Sequence, residues 1–152
     1  MSVTDRLAEL GLSIPEVAKP VASYVPATIA GNLVFTAGQL PFVDGQLPAT
    51  GKVGTEVSAE DARGYARTAV LNALAAVETA IGSVDRITRI VKLVVFVASA
   101  PEFSGQPAVA NGASDTLVEI FGEAGRHARS AVGVAVLPLD APVELELIIE
   151  FA

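Results

Sequence analysis

A long alanine-rich pattern in the middle of the chain constrains its fold most strongly. From Ser58 to Ile81, apolar residues recur at steps of three and four, as one buried face of a helix requires. Most of them are alanine, so this helix can lie close against a flat partner such as a β-sheet. Gly82 is expected to end it. The pattern therefore predicts a long α-helix packed against a sheet.

Stretches rich in β-branched residues supply the strands of that sheet. The sequence "RITRIVKLVVFVAS" at 86–99 is expected to be a central strand. Two more strands, at 129–137 and 142–151, are interpreted as a hairpin joined by the turn "PLDAP". In "VELELIIEF" apolar residues alternate with glutamates, which indicates a strand with one buried and one polar face.

The N-terminal segment 1–22 is predicted to be a short helix followed by an extended arm. Thr4 is expected to cap a helix that runs through Leu10. Pro15 and Pro20 then forbid regular helix and favour an extended path over the surface.

Two further elements complete the predicted domain. The sequence "ATIAGNLVFTAGQ" is typical of two short strands that turn at the pair "GN". Segment 101–114, with its glycines and prolines, is interpreted as a loop, and a shorter helix is expected from Asp115 to Glu123. The result is one α+β domain over 1–152, with two main helices on one face of a mixed sheet. A sheet face left uncovered favours an oligomer.

The composition excludes several classes of function. The formal charge of −7 argues against a nucleic-acid-binding surface, because such surfaces collect lysine and arginine. The chain contains no cysteine, so it has neither disulfides nor a cysteine-based zinc site, and a cytoplasmic location is expected.

The chain shows no sign of a membrane segment or a secretory leader. Its N-terminus carries acidic residues where a leader would be basic and then apolar. The most apolar window, 90–100, contains Lys92 and is much shorter than the roughly 20 residues that a membrane-spanning helix needs. We expect no membrane partner.

Familiar catalytic motifs are missing as well. His127 is the single histidine and lies in the polar segment "GRHARS", so neither a zinc site nor a serine–histidine triad is indicated, and a surface or loop role is expected for it. The glycine-containing segments lack the spacing and the lysine of a phosphate-binding loop. The sequence predicts no metal and no organic cofactor.

Two charged residues remain as candidates for chemistry. Arg129 opens an apolar strand and Glu144 lies on the polar side of the last one. Both patterns are also produced by ordinary solvated strand positions. The functional alternative is that the planar guanidinium of Arg129 binds a carboxylate through two hydrogen bonds.

Three segments resemble a known family from Tyr24 onward. They are "SYVPATIAGNLVFTAGQLP", "ALAAVETAIGSVDRITRIVKLVVFV" and "ARSAVGVAVLPLDAPVELELIIEF". The sequence is identified as a member of the RidA (YjgF/YER057c/UK114) family of reactive imine/enamine deaminases, and it resembles a divergent branch whose members carry an endoribonuclease label. The resemblance implies a chorismate-mutase-like fold assembled as a homotrimer, with sites in the clefts between subunits.

The resemblance also implies roles for individual residues. Arg129 matches the arginine that binds the substrate carboxylate, and Glu144 matches the glutamate that positions the attacking water. Tyr24 matches the tyrosine that lines the cleft, and Gly38 with Gln39 matches the "GQ" segment of the family. The implied ligands are small 2-imino or 2-keto carboxylates.

The sequence departs from the family pattern at several site positions. Ala37 replaces the serine that usually precedes "GQ", and Ala131 replaces a cysteine whose contribution is largely through its backbone. The family asparagine that usually precedes the second helix has two possible counterparts here, Asn111 and Ser114.

Three functions are compatible with these observations. The first is hydrolysis of reactive imines to 2-keto acids and ammonia. The second is a non-catalytic trimer that binds small carboxylates at Arg129 and acts as a regulator. The third is an endoribonuclease, which fits poorly with the acidic charge and the scarcity of aromatic residues.

Overall fold

The computed structural model describes residues 1–17 and 23–152. All five strands in these ranges belong to one mixed sheet, and two long helices pack on one of its faces. This arrangement confirms the predicted fold class. The elements are α1 (Val3–Glu9), β1 (Ala27–Ala30), β2 (Leu33–Thr36), α2 (Ala59–Ile81), β3 (Ile87–Ala98), α3 (Gln106–Phe121), β4 (Ala128–Val134) and β5 (Val143–Phe151).

Helix α2 follows its sequence pattern closely. The side chain of Ser58 caps its first turn by accepting a hydrogen bond from the backbone N–H of Asp61. Gly82 ends the helix in the left-handed conformation, with φ of 89°. The buried face of α2 is mostly alanine, as predicted, and it packs against the sheet.

The N-terminal helix is present, but its cap differs from the prediction. Ser2, not Thr4, caps the helix, in a reciprocal arrangement with Asp5. Thr4 instead donates its backbone and hydroxyl hydrogens to the carboxylate of Asp85, which ties α1 to the body of the domain. The predicted arm reaches into residues 18–22, which lie outside the described ranges.

Helix α3 is longer than the sequence indicated. It begins at Gln106, so the interpretation of the segment before Asp115 as a loop is wrong. Pro107 lies in the first helical turn, where a missing N–H costs nothing. Gly112 lies inside the helix because a Cβ there would collide with the carbonyl oxygen of Arg63 on α2. Both apparent helix breakers are therefore compatible with a helix.

This close contact predicts opposite effects for alanine at two helical glycines. Gly112→Ala should lower the free energy of unfolding by about 1–3 kcal/mol, because the opposing backbone cannot yield. Gly64→Ala, in α2 with open space around it, should raise that free energy by about 0.5–1 kcal/mol. Chemical denaturation at one protein concentration measures both. Changes of the same sign would contradict the packing described for α2 and α3.

The order of the sheet is β1-β2-β5-β3-β4, and β4 runs parallel to β3 while the other pairs are antiparallel. The hairpin of β1 and β2 is confirmed, with its turn at Gly31 and Asn32. The predicted hairpin of the last two strands is wrong, because β3 lies between β4 and β5. The connection over 135–142 crosses the end of β3 instead of making a tight turn.

The sheet face away from the helices is partly exposed. Alternation along β5 is as predicted, with the apolar residues buried under the helices and the glutamates on the other face. A hollow of about 110 Å³ lies on this open face, bordered by Phe35, Val94 and Ile148 together with Lys92 and Glu146. The open face thus combines apolar and charged side chains. In the described ranges, none of the helices is long and apolar enough to cross a membrane.

Candidate functional site

Arg129 is held in place by two neutral side chains of helix α3. It is the second residue of β4, at an edge of the sheet, and its side chain is exposed. Its Nη1 donates to Oδ1 of Asn111 at 2.7 Å and to Oγ of Ser114 at 3.1 Å. Both candidates for the family asparagine therefore contact the arginine, one helical turn apart.

The charge of Arg129 is not compensated by any carboxylate in the described ranges. Five of the seven arginines form salt bridges there, namely Arg6, Arg63, Arg67, Arg89 and Arg126. Arg129 forms none. Since Asn111 and Ser114 take the two hydrogens of Nη1, the edge formed by Nε and Nη2 is left to bind a ligand. That edge matches the two oxygens of a carboxylate.

Ser114 also contacts His127, which the sequence had placed in a loop without a partner. Ser114 Oγ lies 2.9 Å from Nε2 of His127, and Nδ1 of the same ring lies 2.6 Å from the carbonyl oxygen of Gly125. Ser114 and His127 are both partly buried. Sequence reasoning missed this contact because it depends on where α3 lies against the start of β4.

Glu144 lies on the open face of the sheet. Its position on β5 is in register with Phe96 of β3, and its side chain is partly buried. Burial raises the pKa of the Glu144 carboxyl, and repulsion from Glu146 adds to the effect. Within the described part of the chain, its carboxylate makes neither a hydrogen bond nor a salt bridge.

Gly38 leaves the space that the Glu144 carboxylate occupies. A Cβ at position 38 would collide with Oε1 of Glu144. The next residue, Gln39, fixes this approach through two backbone hydrogen bonds with Leu145, of 2.7 Å and 3.0 Å. The structure thus brings Gly38 and Glu144 together, although they lie far apart in the sequence.

The other predicted site residues are placed separately. Tyr24 precedes β1 and is 55% exposed. Ala131 lies two residues beyond Arg129 on the same strand and packs against the core. Ala37 donates its backbone N–H to the carbonyl of Pro26 at 2.8 Å. In the described ranges, Tyr24 makes no hydrogen bond that would link it to either Arg129 or Glu144.

Arg129 and Glu144 lie on opposite faces of the sheet within one protomer. Arg129 is in register with the buried Leu93, so its side chain leaves the sheet on the helix side. Glu144 is in register with Phe96, on the open side. Because β3 separates β4 from β5, their axes are also about 10 Å apart. Within one protomer, the two side chains therefore extend from opposite sides of the sheet.

Comparison with known proteins identifies the family. Residues 4–151 match the family model described as "YjgF/chorismate_mutase-like, putative endoribonuclease". The chain belongs to the YjgF/RidA family. It is 42% identical to Protein TCP17 of Trypanosoma cruzi over 149 residues, which cover 97% of this chain and 93% of that protein.

Solved structures of other proteins have the same fold as this YjgF/RidA protein. The protein Atu1372 of Agrobacterium tumefaciens, of unknown function, is 45% identical, with 99% of this chain and 92% of that chain covered and a TM-score of 0.91. TdcF of E. coli, solved with bound serine, is 28% identical, with coverages of 90% and 94% and a TM-score of 0.67.

Metal ligands are not clustered in the part of this YjgF/RidA protein that the structure describes. In residues 1–17 and 23–152, no group of three or more histidine, aspartate or glutamate side chains is arranged to hold a metal ion.

The raised pKa of Glu144 predicts a pH dependence of stability. The folded state keeps the proton on this carboxyl to a higher pH than the unfolded chain does. Its stabilising contribution is therefore complete below the ordinary glutamate pKa and is lost as the pH rises through the folded pKa. We expect Glu144→Gln to become more stable than wild type over that rise, as measured by chemical denaturation at fixed protein concentration. The exposed control Glu102→Gln should follow wild type; a pH-independent difference for Glu144→Gln would contradict the shift.

Proposed function

We propose that this protein hydrolyses reactive 2-imino acids to 2-keto acids and ammonia, at sites formed between subunits of a homotrimer. The observation that carries the proposal is the uncompensated charge of Arg129, whose only side-chain partners in the described ranges are neutral. A guanidinium group whose Nε and Nη2 edge is free can bind a small planar carboxylate through two hydrogen bonds. The serine bound to the relative TdcF carries such a carboxylate.

The reaction requires that the substrate is bound in a fixed orientation, that a water molecule is directed at the imine carbon, and that protons are transferred to the nitrogen. Arg129 would hold the carboxylate of R–C(=NH)–COO⁻ and so fix the adjacent imine carbon. Water adds to that carbon, nitrogen leaves as ammonia, and R–CO–COO⁻ remains. Glu144 would transfer one proton from the water to the nitrogen as the water adds, and then the hydroxyl proton of the adduct to the nitrogen as the carbonyl forms and ammonia leaves. A raised pKa suits this exchange, because the carboxyl is then nearer to half-protonated at neutral pH.

The remaining site residues would shape the cleft. Tyr24 is an exposed aromatic residue and would close over the substrate. Ala131 lies on an edge strand, so its backbone can contribute where a cysteine is absent. Gly38 would keep the Glu144 carboxylate free of steric conflict.

The placement of Arg129 and Glu144 supports a ring of subunits. The two residues lie on different surfaces of one protomer, so a contact that joins them is head-to-tail. A repeated head-to-tail contact gives a closed ring such as a trimer or an open filament, whereas a two-fold dimer joins identical surfaces. The half-exposed open face, with Phe35, Val94 and Ile148, would be covered in such a ring. We also propose a cytoplasmic location, since a chain without cysteine needs no oxidising compartment.

A second candidate function is carboxylate binding without turnover. It is favoured by Ala37, which offers no hydroxyl, and by an arginine clamp that is complete in one protomer. Such a protein would bind 2-keto acids at Arg129 but would not accelerate hydrolysis.

One assay separates these functions. An amino-acid dehydratase or oxidase generates imino acids in situ, and release of the keto acid is followed with and without the protein. The deaminase predicts acceleration for at least one of several imino acids. Binding of pyruvate without any acceleration would support the second candidate, and RNA cleavage by nuclease-free protein, lost on Arg129→Ala, would favour an endoribonuclease.

A further inference from the structure

A chain of hydrogen bonds runs from Arg129 to a fixed backbone carbonyl. The guanidinium donates to Ser114 Oγ at 3.1 Å, Ser114 Oγ lies 2.9 Å from His127 Nε2, and His127 Nδ1 lies 2.6 Å from the carbonyl oxygen of Gly125. The chain thus connects β4, helix α3 and the segment between them.

The chemistry of the partners gives every bond in this chain a direction. A backbone carbonyl can only accept, so Nδ1 of His127 carries the hydrogen. In the neutral ring, Nε2 is then the acceptor, and Ser114 donates its one hydroxyl hydrogen to it. Arg129 can only donate, so a lone pair of Ser114 faces its guanidinium. Each donor meets an acceptor, and the Ser114 hydroxyl has a single orientation that serves Arg129.

The backbone carbonyl at the far end of this series of hydrogen bonds is held rigidly. Gly125 is buried, and a Cβ there would collide with the backbone carbonyl of Leu117 on α3. The Gly125 carbonyl is therefore held by direct backbone packing. Through His127 and Ser114, this packing restrains an arginine whose side chain is otherwise exposed and would lose substantial rotamer entropy on binding a ligand.

We propose that Ser114 and His127 are positioning residues that fix the guanidinium of Arg129 for carboxylate recognition, with His127 acting as its Nδ1–H tautomer. This inference rests on the proposed function for the identity of the ligand, a 2-imino or 2-keto carboxylate. Neither residue contacts the substrate. Their effect is to keep Nη1 occupied and to present the edge of Nε and Nη2.

The binding test compares two disruptive variants with two controls. Ser114→Ala and His127→Ala should weaken pyruvate binding, measured by titration calorimetry, and raise the KM for imino acids about five- to tenfold, with kcat nearly unchanged. Ser114→Thr keeps the hydroxyl and should stay within about twofold of wild type. Arg126 is an exposed neighbour that takes no part in this series of hydrogen bonds, so Arg126→Ala should match wild type in pyruvate binding and in KM. Thermal unfolding of each variant checks that it is folded.

The outcomes separate this inference from the proposed function. If wild type binds pyruvate and turns over imino acids but Ser114→Ala and His127→Ala do so equally well, the positioning role is wrong while the function stands. If wild type neither binds nor turns over, the proposed function fails.

The tautomer of His127 gives a second test, which does not depend on catalytic activity. His127 is the only histidine, so its ring nitrogens can be assigned directly in long-range ¹H–¹⁵N NMR spectra recorded at alkaline pH. The Nδ1–H tautomer is expected in wild type. The Nε2–H tautomer would overturn the inference, because Ser114 could then no longer donate to the ring.

Discussion

Replacement of Arg129 by alanine should lower kcat/KM for 2-imino acids by about 100- to 1,000-fold, or about 3–4 kcal/mol. The substitution removes a positive charge that has only neutral partners in the described ranges, together with the two-point grip on the substrate carboxylate. The effect should appear mainly in KM and in the binding of pyruvate. Steady-state kinetics with imino acids generated in situ measure the first, and calorimetry measures the second.

Arg129→Lys is the informative companion of this variant. Lysine keeps the charge but presents a point donor in place of a planar fork, so we expect it to recover only a small part of the lost affinity. Arg126→Ala controls for loss of positive charge nearby, since Arg126 forms a salt bridge with the exposed Glu123. Near-normal kinetics for Arg129→Ala would show that Arg129 does not bind the substrate.

Glu144→Gln should lower kcat by about 100- to 10,000-fold with a small effect on KM, because general acid–base catalysis typically contributes that much. Glutamine has nearly the same shape, so it keeps the close approach to Gly38 while losing the ability to exchange a proton. Steady-state kinetics separate kcat from KM.

Glu146→Gln is the matched control for this substitution. Glu146 lies on the same strand and the same face, two residues further along, and it is partly buried as well. It should retain kcat within a few-fold of wild type. If Glu146→Gln loses activity while Glu144→Gln keeps it, the catalytic carboxyl has been assigned to the wrong residue.

Periodicity was sufficient for the elements that have one buried face. Helix α2 buries residues at steps of three and four, and strand β5 buries every second residue, because each packs one side against the same core. The mixed sheet with helices on one face followed from the order of the predicted strands and helices along the chain.

Elements whose form depends on distant contacts could not be predicted in the same way. Gly112 weakens a helix locally, and only its contact with the backbone of Arg63 explains its presence in α3. The last two strands have the local features of a hairpin, yet parallel pairing of β4 with β3 separates them. No pattern within either segment carries this information.

The residues of the candidate site could be predicted from the sequence, but most of the contacts among them could not. Resemblance to the family selected Arg129, Glu144 and Gly38, and the structure brings the last two together. The contacts of Arg129 with Asn111 and Ser114 required the placement of α3 against β4. Most importantly, the sequence does not show that the arginine and the glutamate face opposite sides of one sheet.

Mixing of two inactive variants tests the shared site most directly. Arg129→Ala and Glu144→Ala chains, carrying different tags, are co-expressed and the mixed trimers are isolated. If the protein is a trimer in which each site takes its arginine from one subunit and its glutamate from the next, every mixed trimer has one intact site and two defective ones. We therefore predict about a third of wild-type activity in the isolated mixed trimers, and almost none in either variant alone. Mixed trimers without recovered activity, alongside an active wild type, would contradict a site built from two subunits.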